Sequence, residues 1–239
     1  MPALRVCSLY PDLMNIYADR GNIAVLRARC EWRGIGFEHS ASGLGEPLDP
    51  DSADFFYMGG GQDRDQALVA EDMVATKRDA LHSAHTREAV ILAVCGGYQL
   101  LGSSYQMGDQ ELPGVELVDL RTVREPGPRL IGNCAIESDL GGDSVIAGFE
   151  NHGGRTYLGD GEQPLGKVLN GFGNNGRDGY EGVRRGNTIG TYLHGPLLPK
   201  NVWLADRLIE LALGIELQPL GDDELERAAH QSARRAAGV

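Results

Sequence analysis

The sequence contains no apolar run near the ~20 residues needed to span a bilayer. It has no surplus of positive charge either. Its 22 Lys and Arg stand against 34 Asp and Glu, and the net charge of −12 argues against a nucleic acid or an anionic membrane surface as a partner. Cysteine is scarce, and Cys7, Cys30, Cys95 and Cys134 are scattered without metal-ligand spacing, so no metal site is expected. A cytosolic chain with reduced thiols is the simplest reading. Nowhere do paired glycines lead into Lys followed by Ser or Thr, which excludes ATP binding through a phosphate loop. The start, Met1-Pro2-Ala3-Leu4-Arg5, enters a strand-like pattern and lacks the layout of a signal peptide. Internal repeats and linker-like stretches are missing too, so one domain is expected. At 239 residues, with 41% hydrophobic and 23% charged content, the chain can bury a large core as an ordinary globular protein.

Against these absences one stretch stands out: Ala89-Val90-Ile91-Leu92-Ala93-Val94-Cys95-Gly96-Gly97-Tyr98-Gln99-Leu100-Leu101-Gly102. An unbroken apolar run suits a strand buried on both faces. Gly96 and Gly97 allow a tight turn and keep side chains away from the sulfur. That is the logic of a nucleophile elbow, with cysteine in place of serine. A helix opening after Cys95 aims N–H groups and the positive end of its dipole at the sulfur, which favours a thiolate. The alternative is a structural cysteine closing a buried strand. A proton-handling partner elsewhere in the chain decides between the two.

Leu4–Leu9 reads as the first strand, followed by an unusually polar connector, Tyr10–Asn22. Asn22 is suited to cap the next helix, which carries Ile23, Leu26 and Cys30 at core spacing and stops at Gly34. Ile35–His39 is a short strand and Ser40–Asp51 a loop. Asp54–Met58 is a further strand that runs into Gly59-Gly60-Gly61-Gln62-Asp63. Asp63 is expected to cap a helix to about Ala84, with Leu68, Met73 and Leu81 on one face. This alternation predicts an α/β fold, a mostly parallel central sheet with helices on both faces. Ligands of such sheets bind at the carboxyl ends of the strands, so Gly59–Gly61 and Cys95 are expected in one crevice.

After Gly102 the texture changes to glycine-rich sequence with β-like runs at Val115–Val118, Ile131–Ile136 and Lys167–Leu169. Glu181–Thr191 reads as a hairpin. This half is expected to add extra antiparallel strands, at the sheet edge or as a small flap. Pro199–Leu213 is a helix stopped by Gly214. Residues 1–215 are expected to form the domain, and residues 216–239 a charged C-terminal helix or tail without core packing.

Among the six histidines, His82, His85 and His230 lie on charged helical or tail segments and read as solvated, and His39 ends a short strand. His194, in Gly190-Thr191-Tyr192-Leu193-His194-Gly195-Pro196, follows a strand that Gly195 and Pro196 terminate. It is either a packed core histidine or the partner that folding brings to Cys95. His152, in the polar, glycine-flanked stretch Gly148–Arg155, is its rival. Gly59–Gly61 is either a plain tight turn or, with the N–H groups of Gly60 and Gly96, an oxyanion hole for acyl transfer.

Taken together these residues resemble the class I (triad-type) glutamine amidotransferases. The triple glycine, the Cys95-Gly96-Gly97-Tyr98-Gln99 elbow and Leu193-His194-Gly195-Pro196 are similar to the cobyric-acid-synthase-like branch. Tyr10–Asn22, Gly148–Thr156 and Gly190–Pro196 look closer still to the GatD family, the glutaminase subunits of lipid II isoglutaminyl synthase. The resemblance runs from about Leu4 to Leu213 and implies a flavodoxin-like class I glutaminase fold.

The resemblance implies that Cys95 attacks the side-chain amide of L-glutamine, releases ammonia and leaves a glutamyl thioester for water. His194 would shuttle the protons, and the Gly60 and Gly96 N–H groups would hold the oxyanion. Arg129, in Pro126-Gly127-Pro128-Arg129-Leu130, would take the α-carboxylate with its planar fork and is otherwise an exposed loop charge. Gln99 would line the pocket. Many class I enzymes place an acid two positions after the histidine to orient it, and here that position is Pro196. The acid is therefore expected from a partner subunit, and the chain alone is expected to be a weak glutaminase. No cofactor is expected in this chain. ATP and magnesium would sit on a MurT-like, Mur-ligase-type subunit of a cytoplasmic heterodimer that amidates the D-glutamate of lipid II to D-isoglutamine. That subunit would meet the lipid, so this chain needs no membrane segment. The alternatives are a glutaminase feeding another amidation, of cobyric-acid type, and a non-catalytic binding or regulatory protein on the same fold. Cobyric-acid-type enzymes usually fuse a nucleotide-binding domain ahead of the glutaminase, whereas this chain begins at the glutaminase strand.

Overall fold

The computed structural model describes residues 2–16, 20–221 and 223–239. Part of the polar connector, at 17–19, therefore lies outside the described residues. The first half builds the central sheet through β1 (Ala3–Leu9), α1 (Arg20–Glu31), β2 (Gly36–Ser42) and β3 (Phe55–Met58). It continues through α2 (Asp63–Asp72), a π-helical turn at Met73–Lys77, α3 (Arg78–Thr86), β4 (Val90–Val94) and α4 (Gly96–Leu100). The apolar runs of β3 and β4 alternate sides in spite of their continuity. Phe55, Tyr57, Val90, Leu92 and Val94 pack into one core with Leu26, Leu204 and Leu208. Phe56, Met58, Ile91 and Ala93 pack into the other with Val69, Met73 and Leu81. Both faces of the sheet are thus covered, as a parallel sheet requires.

The second half supplies β5 (Ser104–Met107), β6 (Gln110–Pro113), β7 (Leu120–Val123), β8 (Leu130–Glu137), β9 (Val145–His152), β10 (Arg155–Leu158), β11 (Gly166–Asn170) and β12 (Tyr180–Glu181). It ends with β13 (Val183–Arg185), β14 (Thr188–Thr191), α5 (Leu197–Lys200), α6 (Val202–Leu213) and α7 (Glu224–Ala236). The central sheet has the order β13-β14-β4-β3-β1-β2. Within it, β13 pairs antiparallel to β14, while β14 lies parallel to β4 with Thr191 opposite Val94. The hairpin expected at Glu181–Thr191 therefore delivers a parallel strand to the site. The remaining extra strands form two separate four-stranded sheets, β10-β7-β5-β6 and β12-β11-β8-β9.

Several expectations need correcting. Asn22 does not cap α1. It lies inside the first turn, fully buried, where its Nδ2 donates to Tyr57 Oη at 2.9 Å and its Oδ1 accepts from the Leu198 N–H at 2.8 Å. Asp63 is the first helical residue, the N-cap is Gln62, and the Asp63 carboxylate is drawn outward to Arg124. Leu68 is exposed, and Val69 takes the core position. The π-turn that interrupts the long helix turns Lys77 inward, where its ammonium meets Asp72 and the Gly43 and Glu46 carbonyls. Val115, Leu117 and Val118 are buried and Glu116 is exposed, but the run is not a strand. The last long helix breaks at Asn201, whose side chain bonds both backbone groups of Ala147 and the Leu197 carbonyl. His230 is buried, with Nδ1 bonded to the Lys200 carbonyl. His82 and His85 bond the Val115 carbonyl and the Thr188 hydroxyl.

Helix α7 also has a core of its own, since Ala233 and Ala237 pack on Ala135, Val145 and Ala147. Arg29 anchors the approach to it. Its buried guanidinium donates to both carboxylate oxygens of Asp206 on α6 and to Asp223 just before α7. Arg29→Met takes away the cation of Asp223 and leaves Asp206 with Arg33 alone, and is expected to lower the unfolding free energy by about 3 kcal/mol. Urea unfolding measures this, and limited proteolysis of the variant should release α7 first.

Candidate active site

Cys95 follows β4 with φ 54° and ψ −110°, a conformation that L-residues adopt only under strain. Two backbone bonds hold it there. The Cys95 N–H donates to the Thr191 carbonyl at 2.8 Å, and the Gly97 N–H donates to the Gly59 carbonyl at 3.1 Å. The glycines are a steric requirement. A Cβ on Gly97 would sit 2.9 Å from the carbonyl oxygens of Met58 and Gly59. A Cβ on Gly60 would lie 3.1 Å from the Cys95 Cβ and 3.0 Å from Ile16. Gly60 thus lies against Cys95, with the connector on its other side, where the Ile16 N–H reaches the Gly60 carbonyl at 3.1 Å. Gly96 packs against the Gly61 amide. The triple glycine and the cysteine elbow therefore share one crevice at the carboxyl ends of β3 and β4.

His194 stands three residues beyond the carbonyl that fixes Cys95. It is fully buried, and its backbone exchanges two 3.0 Å hydrogen bonds with Phe149 on β9. Burial pushes its imidazole down to about 4, and the charges of His152, Lys200 and Arg129 push the same way. At neutral pH it is an uncharged ring, able to accept a proton.

The rival, His152, is brought into the same neighbourhood but is held differently. Its ring stacks on Tyr192 at 3.5 Å between centroids with a 4° interplanar angle. Its Nδ1 is 2.8 Å from the Gly154 carbonyl, and its Nε2 lies 3.6 Å from Glu150. Arg129 sits in its exposed loop with a fixed fork, as Nε and one amino group donate to Asn151 at 2.8 Å each. Arg155 braces that loop through the Pro128 carbonyl at 2.8 Å. Gln99 is buried, and both ends of its amide are committed. Its Oε1 accepts from Gln66 at 2.8 Å and its Nε2 donates to Tyr192 Oη at 3.1 Å.

Sequence reasoning missed the polar floor beneath the site. Tyr192 Oη continues from Gln99 to Thr156 at 2.6 Å, and Thr156 to Thr122 at 2.8 Å. Glu181, also fully buried, accepts hydrogen bonds from the Thr191 hydroxyl and from the Tyr192 and Gly182 N–H groups. Burial raises its carboxyl to about 7 against those bonds. These residues carry no motif, and Glu181 reads simply as a hairpin residue. A cavity of about 400 Å³ at the ends of β1 and β3, lined by Ser8, Met14, Asn15, His39 and Tyr57 among others, includes neither Cys95 nor His194.

Two outcomes test this geometry. Glycine tolerates the Cys95 backbone and alanine does not, so Cys95→Gly is expected to be more stable than Cys95→Ala by about 1 kcal/mol, the reverse of the usual order. Thermal unfolding of the two variants decides it. The second outcome concerns pH. Below 6.5 the unfolded chain takes up a proton that folded His194 refuses until about 4, so its effect is a loss of stability as pH falls through that window. Glu181 has the opposite sign. Its stabilisation is full below 4.5 and is lost as pH rises through about 7. His194→Gln removes only the first effect, so the variant should gain on the wild type by about 2 kcal/mol between pH 7 and pH 4.5. Urea midpoints at the two pH values measure it.

Residues 5–202 match the family described as the CobB/CobQ-like glutamine amidotransferase domain. The lipid II isoglutaminyl synthase (glutamine-hydrolyzing) subunit GatD of Staphylococcus aureus (strain N315) is 40% identical over 236 residues, 98% of this chain and 95% of that protein. The subunit of the same name from Streptococcus pneumoniae (strain ATCC BAA-255 / R6) is 38% identical over 211 residues, 88% of this chain and 80% of that one. A probable cobyric acid synthase of Methanothermobacter thermautotrophicus is 35% identical over 124 residues, covering 46% of this chain and 24% of its own length. Among solved structures, a chain of PurLQS from Thermotoga maritima superposes with a TM-score of 0.57 at 19% identity, covering 90% of this chain and 99% of that one, which shows a shared fold. On a match that reaches every strand of the central sheet, this chain belongs to the CobB/CobQ-like glutamine amidotransferase family.

Proposed function

We propose that this chain is the glutaminase subunit of a lipid II isoglutaminyl synthase. The observation that carries the reading is the Cys95 elbow closed on the Thr191 carbonyl, with the neutral His194 ring three residues beyond. Similarity to the two GatD subunits along nearly the full chain supports the same reading. Cys95 attacks the side-chain carbonyl carbon of L-glutamine. The N–H groups of Gly60 and Gly96 receive the developing oxyanion. His194 carries a proton to the departing nitrogen, so that ammonia leaves and a glutamyl thioester remains. The same ring then takes a proton from the water that releases glutamate. Arg129 offers the α-carboxylate the side of its fork that Asn151 does not use. Gln99, with its amide committed, acts by holding Tyr192 and Gln66.

The ammonia would be consumed by a MurT-like, Mur-ligase-type subunit in a cytoplasmic heterodimer. ATP and magnesium would belong to that subunit, which would activate the D-glutamate carboxyl of lipid II for conversion to D-isoglutamine. The partner would also supply the acid that Pro196 replaces. A glutaminase for a cobyric-acid-type amidation is the second reading, favoured by the family match but supported by alignments that cover less of this chain, from 46% to 64%, than the 98% and 88% of the two GatD subunits.

A glutamine-like alkylating analogue is expected to label Cys95 alone, with one equivalent per chain, and Cys95→Ser to abolish glutamate release. Glutamine hydrolysis should be slow in the isolated chain and faster with the synthetase subunit, ATP, magnesium and lipid II, with amidated lipid II as the product. Arg129→Lys keeps the charge but loses the fork, and should raise KM for glutamine about tenfold with little change in kcat. Failure of Cys95 to take the label would leave only the non-catalytic alternative. Hydrolysis that is equally fast with and without the partner would remove the borrowed acid.

A further inference from the structure

The central sheet has a second crevice at the same end as the Cys95 elbow. In the order β13-β14-β4-β3-β1-β2, the chain leaves β1 and β3 in opposite directions. From β1 it passes through α1 to β2, and from β3 through α2 and α3 to β4. Helix α1 contributes Leu26 to one core, while α2 and α3 contribute Val69 and Leu81 to the other. The two connections therefore part between β1 and β3, and such a switch point is where open α/β sheets bind ligands. Cys95 lies one strand away, after β4.

The cavity of about 400 Å³ beside Ser8 and Tyr57 occupies this switch point, and its volume is that of a small-molecule site. Its walls are mostly apolar, with Leu9 from the end of β1, Met14 from the connector and Ile23 from α1. Arg20, Ile23, Ala24 and Arg27 recur at helical spacing, so one face of α1 forms a wall. The charged lining is of one sign. Among the described residues it holds Arg20 and Arg27 and no carboxylate, in a chain with 34 Asp and Glu. The Arg27 guanidinium lies 4.6 Å from the centre of the Phe37 ring, and neither arginine is ion-paired among the described residues. Asn22 fixes Tyr57 Oη at 2.9 Å, and His39 Nε2 is 2.8 Å from Ser8 Oγ. Partial burial lowers the pKa of His39, and the charge of Arg27 pushes the same way, so the positive charge at neutral pH rests on the arginines.

The connector that lines the cavity also touches the triple glycine. The Met14 sulfur blocks the place a Cβ on Gly61 would take. Two residues on, the Ile16 N–H donates to the Gly60 carbonyl at 3.1 Å. Apolar walls accept a heteroaromatic ring and leave the hydroxyls of a bare sugar without partners, and two guanidinium groups on one helix face suit a phosphate. We propose that this cavity binds a nucleoside monophosphate, with its base against Leu9, Met14 and Ile23 and its phosphate on Arg20 and Arg27, and that occupancy steadies the connector on Gly60. The effect through Gly60 rests on the glutaminase reading above, and the binding itself does not. The nucleotide is bound without a phosphate loop and is not consumed.

Calorimetric titration of the full chain with AMP, GMP, CMP and UMP tests the site, with the parent nucleosides and inorganic phosphate as controls. At least one monophosphate should bind, one per chain, about tenfold or more tighter than its nucleoside or phosphate alone, because only it meets both the apolar wall and the arginines. Arg27→Glu reverses a charge and should weaken binding about tenfold, and Ala24→Trp should block it by filling the cavity. Both positions are exposed, so neither change cuts into a core. Saturating monophosphate should raise kcat for glutamine about threefold in the wild type and in neither variant. No binding by any of the four, equal binding of inorganic phosphate alone, or unweakened binding in both variants would overturn the site. An unchanged kcat at saturation would overturn its link to Gly60. Loss of Cys95 labelling would instead overturn the glutaminase reading, and the calorimetry would still report on the cavity.

Discussion

One hydrogen bond, from the Cys95 amide to the Thr191 carbonyl, ties together two stretches nearly a hundred residues apart on which the proposed chemistry depends. It exists because β14 lies parallel to β4 with Thr191 opposite Val94. A one-residue slip would turn every β14 side chain to the opposite face and carry the segment after it away from the cysteine. The slip is prevented by packing on both sides of the strand, since Ile189 is built into one core and Val183 of the adjoining strand into the other. Register in the sheet thus brings the segment that leads to His194 alongside the Cys95 elbow. The strain at Cys95, about 1–3 kcal/mol for such a backbone, is tolerable because β4 is buried throughout.

Under the two strand ends the floor is polar. Gln66, Gln99, Tyr192, Thr156 and Thr122 form a continuous chain of hydrogen bonds in the interior, and Glu181 accepts three more, from the Thr191 hydroxyl and the Tyr192 and Gly182 N–H groups. A satisfied buried network has one low-energy arrangement, whereas an apolar floor could repack in several. The His152 ring extends that arrangement by stacking on Tyr192. The network thereby transmits the position of β14 to the loop that carries Arg129, because Gly153 and Gly154 connect His152 to Arg155, the residue that braces Pro128.

Much of this was legible in the sequence where the signal is local. The β4 run and its glycines announce an elbow because a strand buried on both faces and a turn with no room for a Cβ restrict residue type at each position. The histidine-glycine-proline stop after a strand is similarly local. What was not legible is the fate of lone polar residues. Asn22 has the chemistry of a cap, but Tyr57 and the Leu198 amide claim it from the interior. Asp63 would cap, but Gln62 already holds the extended backbone that a cap needs. Gln66 lies far in sequence from the Gln99 it supports, and Glu181 reaches Thr191 and Tyr192 only once the hairpin has closed, so no spacing rule could find them. The α7 segment looked solvated by composition because its core contacts are alanines, which contribute little to a hydrophobic pattern yet fit closely against β8 and β9.

The charges around His194 suggest why a glutaminase would stay quiet until it is needed. A buried imidazole held near a pKa of about 4 accepts a proton poorly, and on the proposed mechanism turnover requires that it accept one. Part of the penalty is desolvation, which is fixed by the fold. The rest is repulsion from Arg129, His152 and Lys200, which anions can cancel. On the reading proposed here, the α-carboxylate of glutamine cancels the charge of Arg129. Its arrival raises the proton affinity of the ring, so the barrier to thioester formation falls when substrate is bound. The device follows from placing positive charge near a neutral base in a medium of low dielectric.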